Sequence, residues 1–267
     1  MAKYNTTTYF ECLPKINECY DKILYYSYHP IKNIPMVVKE YIKSNDDRLI
    51  REKTLLNKYN MNNHIVKKID EGFNYICMEF INKQDLQMVT KMETNFSETV
   101  TKHFVYQILI GLASIHGDDR IHGDISLENI LIDTDNNIKI CDFEFSVSVG
   151  TIIKGYAGKL NYMPPEMTDD SLLIAHPSID LYAIGVLIFT LQLGDYPYKN
   201  KIDEHYHFIL KDDTKGLFAN YTNIFSSDCI DLLSNLLCTK NKRYESIAQL
   251  LRHKWFTGNN KILCKNK

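Results

Sequence analysis

Residues 121–132 read IHGDISLENILI. In this run a carboxylate, Asp124, stands five positions ahead of an amide, Asn129. A second carboxylate, Asp142, follows a β-like run in IKICDFEF, residues 138–145. A lysine, Lys39, lies in the strand-like PMVVKEYI, residues 35–42, and an acid, Glu52, lies in a run with helical spacing. Phosphoryl transfer asks a protein for little covalent chemistry. It needs a carboxylate to orient the attacking hydroxyl, and magnesium to neutralise phosphate charge. Asp124 suits the first task. Asn129 and Asp142 are hard oxygen donors of the kind magnesium takes. Lys39 can hold phosphate oxygens if Glu52 fixes it from a helix. Each residue alone describes a turn or a surface charge, but all of them in this order on these elements form a motif.

The elements that must position this set are legible from pattern. Residues 23–29 and 35–42 carry β-branched and aromatic residues with polar breaks and predict strands. In DDRLIREKTLLNKYN, residues 46–60, Leu49, Ile50, Leu55 and Leu56 form a roughly helical stripe, with Asp46 and Asp47 as cap and first-turn acids. HIVKKIDEG and FNYICMEFI predict a hairpin around Glu71 and Gly72. Beyond residue 83 helices dominate. One starts at a Ser cap and runs over 97–116 with Glu98 in its first turn, and others follow at about 178–193, 226–238 and 245–253. The apolar run LYAIGVLIFTLQL, 181–193, is too short to span a bilayer and reads as a buried helix. The expected organisation is one domain of two lobes. A small strand-rich lobe, 1–80, has one main helix. A larger and mainly helical lobe covers 81–267, and the joint lies near MEFINK, 78–83.

The chain has 267 residues, ample for a buried core, and a net charge of −2. That balance gives no reason to expect binding to nucleic acid or to a membrane. Seven cysteines form no C-x-x-C pair, which predicts free thiols in a reducing compartment and an intracellular, cytoplasmic location. The opening MAKYNTTTYFECLPK has no apolar run of the secretory kind.

Taken together, these motifs resemble those of a eukaryotic protein kinase, over about 250 residues. The resemblance implies an α+β bilobal protein-kinase fold, with a small antiparallel β N-lobe and a mainly helical C-lobe. It implies ATP in the cleft, magnesium, and phosphate transfer to Ser or Thr of protein substrates by a monomer. Lys39 matches the lysine of the V-A-I-K strand, and Glu52 its helix partner. ICMEFIN resembles the hinge, with Met78 as gatekeeper and Glu79 and Ile81, together with Leu131, contacting the nucleotide. Asp124 matches the catalytic base, and Asn129 and Asp142 the metal ligands. His122 and Phe143 would be packed spine residues. HGD and DFE also occur in aminoglycoside-phosphotransferase-like and choline-kinase-like enzymes. Three later segments favour the protein kinase. GKLNYMPPE, 158–166, is similar to the run that closes the peptide-binding segment. SIDLYAIGVLIFTLQLGDYPY, 178–198, carries Asp180, which in the family braces the catalytic loop. KNKRYESIAQLLRHKWF, 240–256, carries Arg243, which would pair with Glu166.

The chain departs from the family in four places. The glycine-rich loop is missing, and Pro14, Ile16 and Cys19 of LPKINECY fall where its glycines are expected. Glycine lets backbone N–H groups approach phosphate, so this loss supports a rival reading as a scaffold that binds without transfer. Gly123 replaces the arginine that receives an activation-loop phosphate, which implies a kinase active as made. Ser126 replaces the catalytic-loop lysine, while Lys159 stands where the family has threonine. The paired change predicts an exchange in which Lys159, counted among the catalytic residues, restores the cation lost at 126. Glu144 replaces the glycine of D-F-G and is expected to face solvent. The missing glycines and the GK…Y-x-P-P-E run are similar to apicomplexan FIKK-type kinases. Asp195, Asp203 and Glu204, near the peptide groove, read as solvated surface.

Overall fold

Alternation along the chain builds the first sheet. It contains β1 (Lys15–Glu18), β2 (Lys22–Tyr28), β3 (Pro35–Tyr41), β4 (Lys68–Glu71) and β5 (Tyr75–Glu79), all antiparallel, in the order β1-β2-β3-β5-β4. In β3, Met36 and Val38 pack on one face with Tyr25 and Cys77, while Val37 and Tyr41 turn to the main core on the other. Lys39 shares the parity of Val37 and Tyr41 and therefore their face. These positions come from a computed structural model that describes residues 13–43, 46–82, 84–92, 95–153, 158–167 and 172–258. Cys12, Cys264 and most of the N-terminal stretch read above lie outside the described residues.

Between β3 and β4 the chain forms helix α1 (Asp47–Lys58), whose Asp46 cap accepts a hydrogen bond from the Arg48 N–H. Its buried residues, Leu49, Glu52, Leu55 and Leu56, recur at helical spacing, so Glu52 lies on the stripe that faces the sheet. After β5 come β6 (Gln84–Asp85), α2 (Leu86–Met92) and the long α3 (Glu98–His116), capped by Ser97. Then follow β7 (Arg120–Ile121), β8 (Ile130–Ile132), β9 (Ile138–Ile140) and β10 (Val147–Ser148), paired as two small sheets, β6-β8-β9 and β10-β7. Strands β11 (Ile152–Ile153) and β12 (Leu173–Ile174) pair with each other.

Helix α4 (Ser178–Leu193) is apolar on nearly every face and is buried along nearly its whole length. Such a helix has to be central. Around it lie α5 (Glu204–Leu210), α6 (Thr214–Phe218), α7 (Ser227–Ser234), α8 (Ile247–Leu251) and α9 (Lys254–Thr257). The helix expected over 226–238 ends at Ser234, and the one expected over 245–253 is shorter, held by a capping box of Ser246 and Gln249. One core runs from Leu56 and Ile76 through Ile108 and Phe143 to Leu187 and Trp255, joining both lobes. The architecture is the α+β bilobal fold expected from the sequence. Among the described residues no helix is long and apolar enough to cross a membrane.

Candidate active site

The loop after β7 is fixed from below by helix α4. Asp180, fully buried at the first turn of that helix, accepts hydrogen bonds from the His122 N–H at 2.8 Å and the Gly123 N–H at 2.9 Å. Its Oδ2 also stands 2.8 Å from His116 Nε2. Burial raises the Asp180 carboxyl, but these partners outweigh it and hold it below the usual carboxylate range. The backbone at Gly123 is left-handed, at φ 80°, and a Cβ there would meet the Phe145 carbonyl oxygen at 2.7 Å. The residue type at 123 is therefore set by backbone shape.

Asp124 is turned into the site by its neighbours. Asn129 Nδ2 donates to its Oδ2 at 2.7 Å and to its carbonyl at 2.8 Å. This orients the Asn129 amide so that its oxygen makes no hydrogen bond among the described residues. From the peptide segment, the Lys159 N–H donates to Asp124 Oδ1 at 3.1 Å. The Lys159 ammonium lies 3.6 Å from Asp124 Oδ2 and 3.8 Å from Glu128, and donates to Ser126 Oγ at 2.6 Å. The side chain expected to restore the cation lost at 126 thus ends on Ser126. Burial raises the Asp124 carboxyl, and the Lys159 cation pulls against that rise. Gly158 makes the approach possible. At φ 94° its Cβ would come within 2.8 Å of Asp124 Oδ1 and 2.9 Å of the Gly123 oxygen. Tyr162 adds a second tie by accepting from the Leu127 N–H at 3.2 Å.

Across the cleft, Lys39 donates to Glu52 at 2.8 Å and to Asp142 at 3.1 Å. Strand β3, helix α1 and the loop after β9 supply one residue each. Burial works against the Lys39 charge, but the carboxylates around it raise its pKa well above the ordinary lysine range. Asp142 sits in left-handed backbone at φ 66°, a region that aspartate tolerates better than most residues. Burial pushes its carboxyl up, yet Lys39 and Lys22 outweigh it and hold it below the usual range. Phe143 is fully buried against the His122 ring at 5.0 Å and the Tyr59 ring at 5.9 Å. His122 Nε2 donates to the Cys141 carbonyl at 3.1 Å if Nδ1 takes the Asp124 N–H, and burial keeps that imidazole neutral.

Of the residues expected at the nucleotide, Leu131 alternates with Ile130 and Ile132, which enter the core, and so turns to the cleft side of β8. Ile81 follows β5, and among the described residues its N–H has no partner. The Glu79 side chain points away from this linker, accepting from the Lys67 N–H at 2.8 Å and from Lys139 at 2.9 Å. Met78 is buried in the main core.

The expectation that Glu144 faces solvent is wrong. It is 1% exposed. Its Oε1 accepts from Lys22 at 2.6 Å and lies 2.6 Å from Lys39 and 2.7 Å from the Tyr41 hydroxyl. Arg48 stands 3.7 Å from its Oε2, and Arg51 donates to its backbone oxygen. A carboxylate is tolerated in such a place only when cations and donors surround it, and β2, β3 and α1 supply them. Carboxylate oxygens of Glu52, Asp142 and Glu144 all lie within 4.8 Å of one another. The Lys39 ammonium, within 3.1 Å of each, already fills that space. Asp142 and Asn129, whose amide oxygen has no hydrogen-bond partner among the described residues, are hard oxygen donors that could hold magnesium.

The hairpin over the cleft also differs from the expected placement. The β1–β2 turn is at 19–21, closed by the Cys19 N–H donating to the Lys22 carbonyl at 2.9 Å. Pro14 precedes β1. The residue that enters β2 on the cleft face is Lys22, paired in register with Tyr41 as Leu24 is with Lys39. Sequence reasoning missed Lys22, Tyr41, Arg48 and Arg51. A signal for Lys22 exists: counted by twos along the strand, it shares the parity of Leu24. Asp195 pairs with Lys199 at 3.1 Å and Asp203 caps α5, so both acids are engaged within the chain. Arg243 forms a fork to Glu166 at 2.6 and 3.1 Å beneath the peptide segment.

A two-lobed fold with a lysine–carboxylate pair facing an Asp–Asn loop across the cleft is the architecture of kinases. The chain belongs to the protein kinase domain family, whose model matches residues 27–256. It is 31% identical over 192 residues to an Aurora kinase of Debaryomyces hansenii, covering 69% of this chain and 44% of that protein. It is 32% identical over 193 residues to an Aurora kinase of Candida glabrata, covering 71% and 52%. A serine/threonine-protein kinase of Rattus norvegicus, MRCK beta, is 25% identical over 202 residues, covering 72% of this chain and 12% of its own length. The chain spans about half the length of the Aurora kinases it matches.

Proposed function

We propose that this domain transfers the γ-phosphoryl group of ATP to serine or threonine hydroxyls of protein substrates, with magnesium, and without prior phosphorylation of its own activation segment. The observation that carries the reading is the joined cluster in which Lys39 bridges Glu52 and Asp142 while Asp124 is held by Asn129 and Lys159. Nucleotide would enter between the lobes, whose boundary we place at 80/81, with the linker at Glu79 and Ile81 against the base and Leu131 beneath it. Lys39 would hold the α- and β-phosphates. Magnesium, when bound, would neutralise phosphate charge. Asp142 and Asn129 offer the oxygens that would hold it. Asp124 would accept a hydrogen bond from the incoming hydroxyl and orient it, and the Lys159 cation opposes the rise that burial imposes on its carboxyl. Because Gly123 cannot receive an activating phosphate, order in this loop comes from Asp180.

The free thiols of Cys19, Cys77, Cys141, Cys229 and Cys238 suit a reducing compartment, and we place the activity in the cytoplasm, in a monomer acting on proteins and not on nucleic acid or membranes. The test is transfer of labelled γ-phosphate to a protein mixture by the purified chain. Transfer to Ser and Thr that is abolished in Asp124→Asn supports the enzyme. The absence of glycines in the β1–β2 hairpin favours one rival, a nucleotide-binding scaffold. Stabilisation by Mg-ATP without transfer would establish that rival. Transfer to choline or aminoglycosides alone would establish a small-molecule kinase.

A further inference from the structure

We propose that Lys22, at the mouth of the β1–β2 hairpin and placed by strand register, is a second phosphate-binding lysine, and that it does the work of the missing glycine-rich loop. The inference rests on the nucleotide reading above and deepens it.

Three observations place Lys22 there. It is the first residue of β2, directly after the turn that overhangs the cleft, and it pairs in register with Tyr41. Directly paired residues on adjacent antiparallel strands project from the same face, so Lys22, Leu24, Lys39 and Tyr41 share one face of the sheet. The Lys22 ammonium is 3.5 Å from Asp142 Oδ2, on the opposite side of that carboxylate group from the oxygen Lys39 takes. It is also 2.6 Å from the same Glu144 Oε1 that stands 2.6 Å from Lys39. The two ammonium groups therefore flank one carboxylate oxygen and both border Asp142. A phosphate chain that meets Lys39 and a metal at Asp142 has to pass beneath this hairpin.

Charge and donor count point the same way. In a glycine-rich loop, backbone N–H groups reach the phosphates because no Cβ intervenes. This hairpin has no glycine between Leu13 and Tyr28. A lysine carries three donors. One is taken by Glu144 and a second borders Asp142 Oδ2 at 3.5 Å, which leaves at least one for phosphate oxygens. Glu144 in turn adds a negative charge beside Lys39, where it would draw that lysine from phosphate and repel the ligand. Lys22 cancels that charge and brings a donor.

The test is calorimetric titration of the full chain with Mg-ATP and, separately, with adenosine, which lacks phosphates. Lys22→Ala is expected to weaken Mg-ATP by roughly tenfold or more, the usual worth of a hydrogen bond to a charged group, while adenosine stays within about a factor of two. Lys22→Arg should keep most of the Mg-ATP affinity. The double variant Lys22→Ala/Glu144→Gly should still bind Mg-ATP about tenfold more weakly than Glu144→Gly alone. Adenosine binding reports that each variant is folded. If Lys22→Ala weakens both ligands alike, or neither, Lys22 is not a phosphate ligand. If the double variant matches Glu144→Gly, Lys22 only neutralises Glu144, and the proposal is overturned. A wild-type chain that binds neither ligand would instead remove the nucleotide reading itself, and this inference with it.

Discussion

Replacing Lys159 by alanine tests whether the cation lost at position 126 is supplied from the peptide segment. The Lys159 ammonium is 3.6 Å from Asp124 Oδ2. At an effective dielectric of about 20 that separation is worth roughly 4–5 kcal/mol of attraction before solvent is counted. The Lys159 side chain is 35% exposed, so water screens a good part of this. A residual of about 2 kcal/mol corresponds to a fall in kcat of roughly 30-fold. The pH profile carries a second signature. Burial raises the Asp124 carboxyl and Lys159 lowers it. Without the cation, Asp124 takes up its proton at higher pH, so the acid limb of kcat/KM moves upward and the loss is greatest on the acid side. Lys159→Ala/Ser126→Lys should recover part of the rate and return the limb, because Ser126 Oγ lies 2.6 Å from the ammonium it would replace. Steady-state kinetics across pH with a peptide or protein acceptor measures both. Unchanged turnover and an unmoved acid limb in Lys159→Ala would refute the exchange. The same sign has a consequence for stability. A carboxyl raised by folding costs stability once pH climbs through the ordinary carboxylate range, so Asp124→Asn should unfold at the same or a higher temperature than wild type at neutral pH.

Three further outcomes follow from the packing. The Tyr41 hydroxyl is buried 2.7 Å from both Glu52 and Glu144, so Tyr41→Phe should cost about 1–3 kcal/mol, read as a shift in the midpoint of denaturant unfolding. Glu166→Ala leaves the buried Arg243 guanidinium without its carboxylate fork and should destabilise the domain by about 3 kcal/mol in the same assay; a loss below about 0.5 kcal/mol would mean that the Ser178 and Cys238 carbonyls suffice. Gly158→Ala drives a Cβ against Asp124 and the Gly123 oxygen at a left-handed position, and should lower kcat by more than tenfold with only about 1–2 kcal/mol of lost stability; retained turnover would show that the segment can shift without harm.

Much of the frame was legible because its causes are local. Helix α1 is announced by Asp46 and by apolar residues at helical spacing, and α3 by Ser97 with Glu98 behind it. The burial of α4 is written in its composition, since a helix with no polar face has nowhere to go but the core. The site residues were legible through their order along the chain, as the family pattern HGD-x4-N and D-F-x shows. Their distances were not. Helix ends were less secure. The stretch 226–238 keeps its apolar spacing beyond Ser234, but the chain leaves the helix there and buries Leu236 and Leu237 from a turn.

The sequence by itself determined the strand-rich and helical parts, the buried central helix and the order of Lys39, Glu52, Asp124, Asn129 and Asp142 along the chain, because periodicity, caps and motif order act over a few residues. Only the tertiary structure decided where the two unfamiliar residues lie. Glu144 turns inward because Lys22, Lys39, Tyr41 and Arg48 converge on it from three elements, one of them 122 residues away in the chain. Lys22 reaches Asp142 because strand pairing sets its face and the hairpin turn its position. A charged side chain on the page of a sequence reads as solvent-facing by default. Whether it is buried depends on the countercharges brought around it, and those are a property of the fold.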